Sequence, residues 1–268
     1  MTSNRTFRNL HHGSELLVLP NAWDAGSARL IESLGAKAIA TTSAAVAWSR
    51  GYPDGDALPI EKLFATVDDI VRVIRVPLTI DIEGGYSSDP VVVSRVVSGV
   101  IDLGVAGINI EDGAGSPDLL CAKIEAARQI AVRADVDLFI NARTDVYLRG
   151  LATGDAAIEE VAHRSERYRS AGCDGIFVPL LSDVRDIEAI TSAIDPMPLN
   201  IMLVPGLPSL TVLRQQGVRR LSAGSAIAQA ALGIASRLAT EFLGGSFENT
   251  FTNAVDYSAM NKLFQSKG

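Results

Sequence analysis

Short apolar runs alternate along the chain with longer stretches whose apolar residues recur at helical spacing. Eight runs read as strands: "LLVLP" (16–20), "KAIAT" (37–41), "PLTID" (77–81), "GINIE" (107–111), "DLFIN" (137–141), "GIFVP" (175–179), "LNIML" (199–203) and "VRRLS" (218–222). Between them lie helical patterns such as "PIEKLFATVDDIVRVI", "SPDLLCAKIEAARQIAVR" and "AAIEEVAHRSERYRSAG". Strands that are apolar on both faces and separated by helices argue for a parallel sheet covered on each side. Eight β/α units in about 225 residues predict an α/β fold of the (β/α)8 TIM barrel type, with an open doubly wound sheet as the alternative. Helix boundary signals agree. Asp89-Pro90 and Ser116-Pro117 each join an N-cap residue to a proline at the first helical position. "SLGAKA", "DLGVAG" and "SAGCDG" each end a helix on glycine before the next strand. One domain is expected over residues 1–268, with the barrel at about 14–240 and a C-terminal helical tail at 241–268.

Composition narrows the partners. The chain has 268 residues, 47% hydrophobic and 21% charged, with a net charge of −7, so no basic footprint marks it for nucleic acid. No apolar run approaches the roughly 18 residues of a membrane span. The opening "MTSNRTFRNLHHGSE" reads as a polar leader without the apolar core of a secretory signal. Cys121 and Cys173 form no CxxC motif, which predicts a reducing, cytoplasmic setting without structural disulfides or thiolate-bound zinc.

In a barrel the chemistry sits at the carboxyl ends of the strands. The third strand runs into "DIEGGYSSDP", where extended geometry would put Asp81 and Glu83 on one face. The second is followed by "TSAAVAWSRGYPDGD", the fourth ends in Glu111-Asp112, and the fifth in "NARTD", with Arg143 and Asp145. Several carboxylates and one arginine thus converge on one mouth. Such a thiol-free, histidine-poor set suits a hard cation, Mg²⁺ with Mn²⁺ as the alternative. His11, His12 and His163 lie at no strand end, which disfavours zinc and a histidine triad. Arg143 offers a planar fork to an anionic substrate oxygen, or else forms a barrel ion pair with Glu111 or Asp145. Small residues at Ser43, Ala44 and Ala45 let backbone N–H groups approach a carboxylate.

"TSAAVAWSRGYPDGD", "DIEGGY", "GVAGINIEDG" and "NARTD", in this order and spacing, resemble the isocitrate lyase/phosphoenolpyruvate mutase superfamily. The likeness runs from "LPNAWDAGSARL" to "LSAGSAIAQAAL". The resemblance implies a (β/α)8 barrel whose last helix is exchanged between subunits of a homo-oligomer, a tetramer more than a dimer. It also implies Mg²⁺, a small 2-oxo acid substrate and an enolate. By position, Asp81 matches the direct metal ligand, and Asp54, Glu83 and Glu111 match acids that hold metal-bound waters. Arg143 matches the arginine on the substrate oxygens. Thr42, Ser43 and Ala44 match the carboxylate-holding loop, and Trp23 an aromatic beside the pocket.

Two departures sharpen the expectation. Lyases that cleave isocitrate or methylisocitrate carry a K-[KR]-C-G-H loop, and phosphonomutases a lysine and an asparagine there. This chain instead runs "EDGAGSPDLLCAKIEAARQ", placing Cys121 one turn into a helix as a buried thiol and Lys123 further along it. Glu83 is one methylene longer than the usual aspartate. The expected activity is a Mg²⁺-dependent carbon–carbon lyase or decarboxylase acting on a small 2-oxo dicarboxylate, with water, Tyr52 or Tyr86 returning the proton. The alternatives are P–C bond chemistry, with Asp54 near the transferred group, and a 2-oxo acid binding protein with negligible turnover.

Overall fold

The computed structural model describes residues 3–265, so the first two residues of the leader and the last three of the tail lie outside it. The chain runs α1 (Ser3–His12), β1 (Leu17–Leu19), β2 (Asn21–Ala22), α2 (Ala25–Ser33), β3 (Ile39–Thr41), α3 (Ser43–Ser49), α4 (Ile60–Val73), β4 (Leu78–Asp81), α5 (Pro90–Asp102), β5 (Gly107–Glu111) and α6 (Pro117–Arg133). It continues through β6 (Phe139–Arg143), α7 (Asp155–Ala171), β7 (Gly175–Phe177), α8 (Val184–Ile194), β8 (Leu199–Met202), α9 (Leu210–Gln215), β9 (Arg220–Ser222), α10 (Ala226–Leu243) and α11 (Tyr257–Gln265).

Every strand pair is parallel, in the order β1-β9-β8-β7-β6-β5-β4-β3-β2. The two ends of that order, β1 and β2, flank Pro20, which has no N–H to donate. They are two halves of one strand, one paired with β9 and the other with β3. The sheet therefore closes on itself as an eight-position barrel, and the open-sheet alternative falls. Asp89 and Ser116 cap α5 and α6, accepting from Val91 N and Leu119 N.

The leader is not a loose polar arm. It forms α1, which plugs the amino-terminal end of the barrel. Phe7 is fully buried in a cluster with Leu17, Leu19, Ala38, Ala40, Ala106 and Phe139, of which Leu17, Ala38, Ala106 and Phe139 lie at or just before strand starts. A Cβ at Gly107 would come within 2.7 Å of the Phe7 ring, so glycine there makes room for the plug. Above the plug the barrel is polar. Asn141 Nδ2 donates to Asn109 Oδ1 and to Asn200 Oδ1, each at 3.0 Å, and the buried Arg220 donates from Nη2 to Asn109 Oδ1 at 3.1 Å.

At the other end of the chain, α10 stands off the barrel: only Ala228 of its 18 residues is buried. Val18, pointing outward from β1, is left 50% exposed where an eighth outer helix would cover it. α11 comes back to α2, where Arg29 Nε donates to the Leu263 carbonyl at 2.8 Å.

Candidate active site at the barrel mouth

A cavity of 130 Å³ lies at the carboxyl ends of the strands, and Thr42, Ser43, Ala44, Asp54, Asp81 and Arg143 are among the residues lining it. Six of the residues nominated from the sequence are thereby brought together. Thr42 is the N-cap of α3, and its side chain makes no capping bond, so the leading N–H groups of that helix lack an intrahelical partner.

Asp81 is the last residue of β4. Its backbone N–H donates to Thr41 Oγ1 at 3.0 Å, while Oδ1 accepts from Glu83 N at 2.9 Å and Oδ2 from Asn109 Nδ2 at 3.3 Å. Burial raises its carboxyl above the ordinary aspartate range; Arg143 opposes the shift and Asp54 adds to it. A buried carboxylate in negative company is relieved by a cation. Mg²⁺ takes one or two carboxylates and keeps several waters. The donor set at Asp81 fits that pattern, although among the described residues no three His, Cys, Asp or Glu side chains gather as a full metal cage.

Arg143 ends β6, in register with Glu111 at the end of β5. Its Nη1 lies 2.5 Å from Glu111 Oε2 and its Nε 2.7 Å from Asp145 Oδ1. The ion-pair arrangement is thus realised, with the guanidinium still lining the mouth. Burial works against the charge on Arg143, but Glu111 and Asp145 more than compensate and hold it protonated. Glu111 is pushed up by burial, pulled back by Arg143 and pushed up again by Asp81 and Asp145.

Glu83 is placed differently from the same-face expectation. The strand stops at Asp81, and Glu83 adopts φ +53°, so the side-chain alternation of a strand no longer applies. Its carboxylate accepts from Gly55 N at 2.8 Å, from Asp56 N and, at 3.2 Å, from the Tyr86 hydroxyl. In return Asp56 Oδ1 accepts from Tyr86 N at 3.0 Å. Glu83 therefore ties the loop that carries Asp54 to the loop after β4. Burial, with Asp81, Asp54 and Asp56 nearby, pushes its carboxyl up to about 7 despite the Asp56 N–H. Trp23 packs on the apolar core rather than lining the cavity.

Comparison with known proteins follows the same geometry. Residues 7–243 match the phosphoenolpyruvate phosphomutase family. The chain belongs to that family. An uncharacterised protein of Mycobacterium tuberculosis is 39% identical over 225 residues, covering 82% of each chain. An oxaloacetate decarboxylase of Paraburkholderia xenovorans is 30% identical over 240 residues, 84% of this chain and 76% of the relative. A solved structure, a candidate phosphonomutase from Burkholderia cenocepacia, superposes with a TM-score of 0.84 at 38% identity, covering 89% of this chain and 99% of that one. With family relatives named as lyases and as a decarboxylase, the chain is an enzyme of the carbon–carbon lyase type.

Within this phosphomutase-family barrel, the connection after Glu111 is short, only Asp112 to Ser116 before α6 begins. Asp112 does not line the mouth, although its Oδ1 accepts from the N–H of Asp145, the partner of Arg143, at 2.9 Å. Its side chain is fully buried, and Oδ2 accepts from Arg164 Nη1 at 2.8 Å and the Tyr168 hydroxyl at 2.7 Å, which fastens the connection to α7. Cys121 sits in α6 as expected but is only half-buried, its thiol raised by desolvation. Lys123 is buried on the same helix, its Nζ donating to the Gly84 carbonyl at 2.6 Å. Sequence reasoning missed Asn109, which holds Asp81, and Lys123. The available signs of a polar barrel interior were polar residues inside apolar runs: Asn109 in "GINIE", Asn141 in "DLFIN", Asn200 in "LNIML" and Arg220 in "VRRLS".

Proposed function

We propose that this lyase acts with Mg²⁺ on a small 2-oxo acid bearing a further carboxylate, cleaving a carbon–carbon bond to leave a pyruvate-like enolate. The observation that carries the reading is Asp81, buried at the mouth of a 130 Å³ cavity with Arg143 across from it. At roughly 30 Å³ per water, that space holds about four waters' worth of substrate, the scale of a three- or four-carbon acid. Asp81 would hold the ion directly. Glu83, Glu111 and Asp54 would support it from further out, Glu83 chiefly through the loop it fastens. When bound, Mg²⁺ supplies Lewis-acid polarisation of the oxo group. The α3 start, at Thr42, Ser43 and Ala44, would receive the carboxylate beside that group. Arg143, already charged and already paired, would exchange a carboxylate partner for the oxygen on which charge develops. Mn²⁺ has the same oxygen preference.

Decarboxylation of an oxaloacetate-like acid needs no acid at the bond-breaking step, which suits a connection after Glu111 without a cysteine. The same connection holds no lysine or asparagine, which speaks against P–C chemistry. Tyr86 donates its hydroxyl to Glu83, and burial with that negative neighbour holds its proton tightly. Solvent water is then the better proton source for the enolate. The test is turnover with Mg²⁺ on oxaloacetate, a dimethylmalate, a methylisocitrate and phosphonopyruvate. The reading predicts pyruvate release from oxaloacetate; the dimethylmalate and the methylisocitrate are 2-hydroxy acids, whose cleavage would leave the enolate on the other fragment and so distinguishes that chemistry. Turnover of phosphonopyruvate alone would overturn it.

A further inference from the structure

Arg220 on β9 puts a positive charge inside the barrel. It is 1% exposed and stands two residues before Ser222, which lines the mouth. The Phe7 ring of the α1 plug lies 6.0 Å from its guanidinium carbon. Among the described residues it has no ion-pair partner: Nη2 donates to Asn109 Oδ1 at 3.1 Å, and Nε and Nη1 donate to nothing. Burial pushes the guanidinium down to about 9, with only Asp81 pulling the other way, so it remains charged at neutral pH. A buried cation without a contacting counter-ion is costly, and an apolar side chain of similar volume is often neutral or better in its place. Packing alone therefore gives no reason for an arginine here.

The reason lies one residue away, because Asn109 stands between Arg220 and Asp81. Its Oδ1 accepts from Arg220 and, at 3.0 Å, from Asn141, which uses both lone pairs of that oxygen. The amide is thereby held one way round, with Nδ2 donating to Asp81 Oδ2 at 3.3 Å. Asp81 Oδ1 takes one further bond, from Glu83 N. A carboxylate has about four lone-pair sites, so each oxygen keeps one for a cation. An arginine touching Asp81 directly would take those sites, as Arg143 does at Glu111.

We propose that Arg220 is a positioning residue for the metal site: acting through Asn109, it fixes the Asp81 carboxylate and offsets its charge from inside the barrel without occupying it. This rests on the reading of Asp81 as the residue that holds Mg²⁺. Arg220 does not line the mouth cavity and performs no chemistry. Its effect is on geometry, and so on which divalent cation Asp81 accepts.

The test is calorimetric titration of Mg²⁺ and, separately, of Ca²⁺ into metal-free wild type, Arg220→Met, Asn109→Ala and the double variant, with Tm measured on each. The two ions carry the same charge, so loss of the Arg220 charge moves both affinities together, and their ratio reports geometry. Mg²⁺ demands near-ideal octahedral ligands, whereas Ca²⁺ tolerates irregular ones. Arg220→Met should lower the Mg²⁺/Ca²⁺ affinity ratio by about fivefold or more, at a Tm close to that of the wild type. Asn109→Ala should lower the ratio by a similar factor, and the double variant no further, because the two residues act in series. An unchanged ratio in Arg220→Met, losses that add in the double variant, or an Arg220→Met chain that does not fold overturns the assignment and leaves the Asp81 reading standing. If the wild type binds no Mg²⁺, the Asp81 reading itself fails and this proposal with it.

Discussion

Arg143 shows how a single side chain can be structural and functional at once. It holds the ends of β5 and β6 through Glu111 and Asp145, yet its fork faces the cavity. A charge-assisted bond of this kind is worth about 1.5–3 kcal/mol, and about 1.36 kcal/mol is a factor of ten in rate. Arg143→Lys keeps the charge and loses the planar fork. It should cut kcat/KM at least tenfold on a confirmed 2-oxo acid, with the circular dichroism spectrum unchanged; parental turnover would make Arg143 an ion-pair residue only. Glu83 gives a pH signature. Its folded carboxyl, near 7, lies above the ordinary 4.5, so the folded state holds the proton more tightly than the unfolded chain. Its contribution to stability is fully present below pH 4.5 and is lost as the pH rises through about 7. Metal-free protein should therefore lose Tm between pH 5 and 8 relative to Glu83→Gln, which cannot ionise; parallel Tm curves for the two proteins would refute the shift.

At the scale of elements, α1 and α6 carry the departures from expectation. Phe7 on α1 is fully buried against Phe139, the ring centroids 5.7 Å apart. Phe7→Ala should cost about 3–5 kcal/mol of stability, read by urea denaturation; a loss below 1 kcal/mol would mean that α1 is not a plug. Cys121 lies within α6 and does not line the mouth cavity, so Cys121→Ser should leave turnover within about twofold. A large fall in kcat at unchanged Tm would place the thiol in the chemistry. The strands and most of their order were legible because apolar runs recur eight times and three of the helices between them end on glycine. The mouth was legible in outline because strand ends in a barrel must converge. Three things were not. The alternation rule failed at Glu83, where the chain has already left the strand and turned left-handed. Asp112 follows Glu111 directly but faces α7, because side chains of neighbouring residues leave a strand on opposite sides. The polar barrel interior of Asn109, Asn141, Asn200 and Arg220 stayed hidden in strands that otherwise read as apolar on both faces, since the register that stacks these residues is set by closure.

The whole molecule leaves a ring position open. α10 presents Leu232, Ile234, Phe242 and Leu243 to solvent, while Val18 lies uncovered on β1. No helix of the described chain is long and apolar enough to cross a membrane, so this apolar face is not a span. We propose that α10 of a second copy covers it in a homo-oligomer, a tetramer more than a dimer. Light scattering at micromolar concentration should show the oligomer, and Leu232→Glu combined with Ile234→Glu should shift it toward monomer. A monomeric wild type would contradict the arrangement.

The central claim is that Asp81 holds a divalent cation on which turnover of a 2-oxo acid depends. Calorimetric titration of Mg²⁺ into metal-free wild type and Asp81→Asn, followed by oxaloacetate turnover in the same samples, tests it most directly. The account predicts Mg²⁺ affinity at least tenfold weaker and turnover lost in Asp81→Asn, with the fold intact by circular dichroism. Equal Mg²⁺ affinity in the two proteins, or undiminished turnover in the variant, would contradict it.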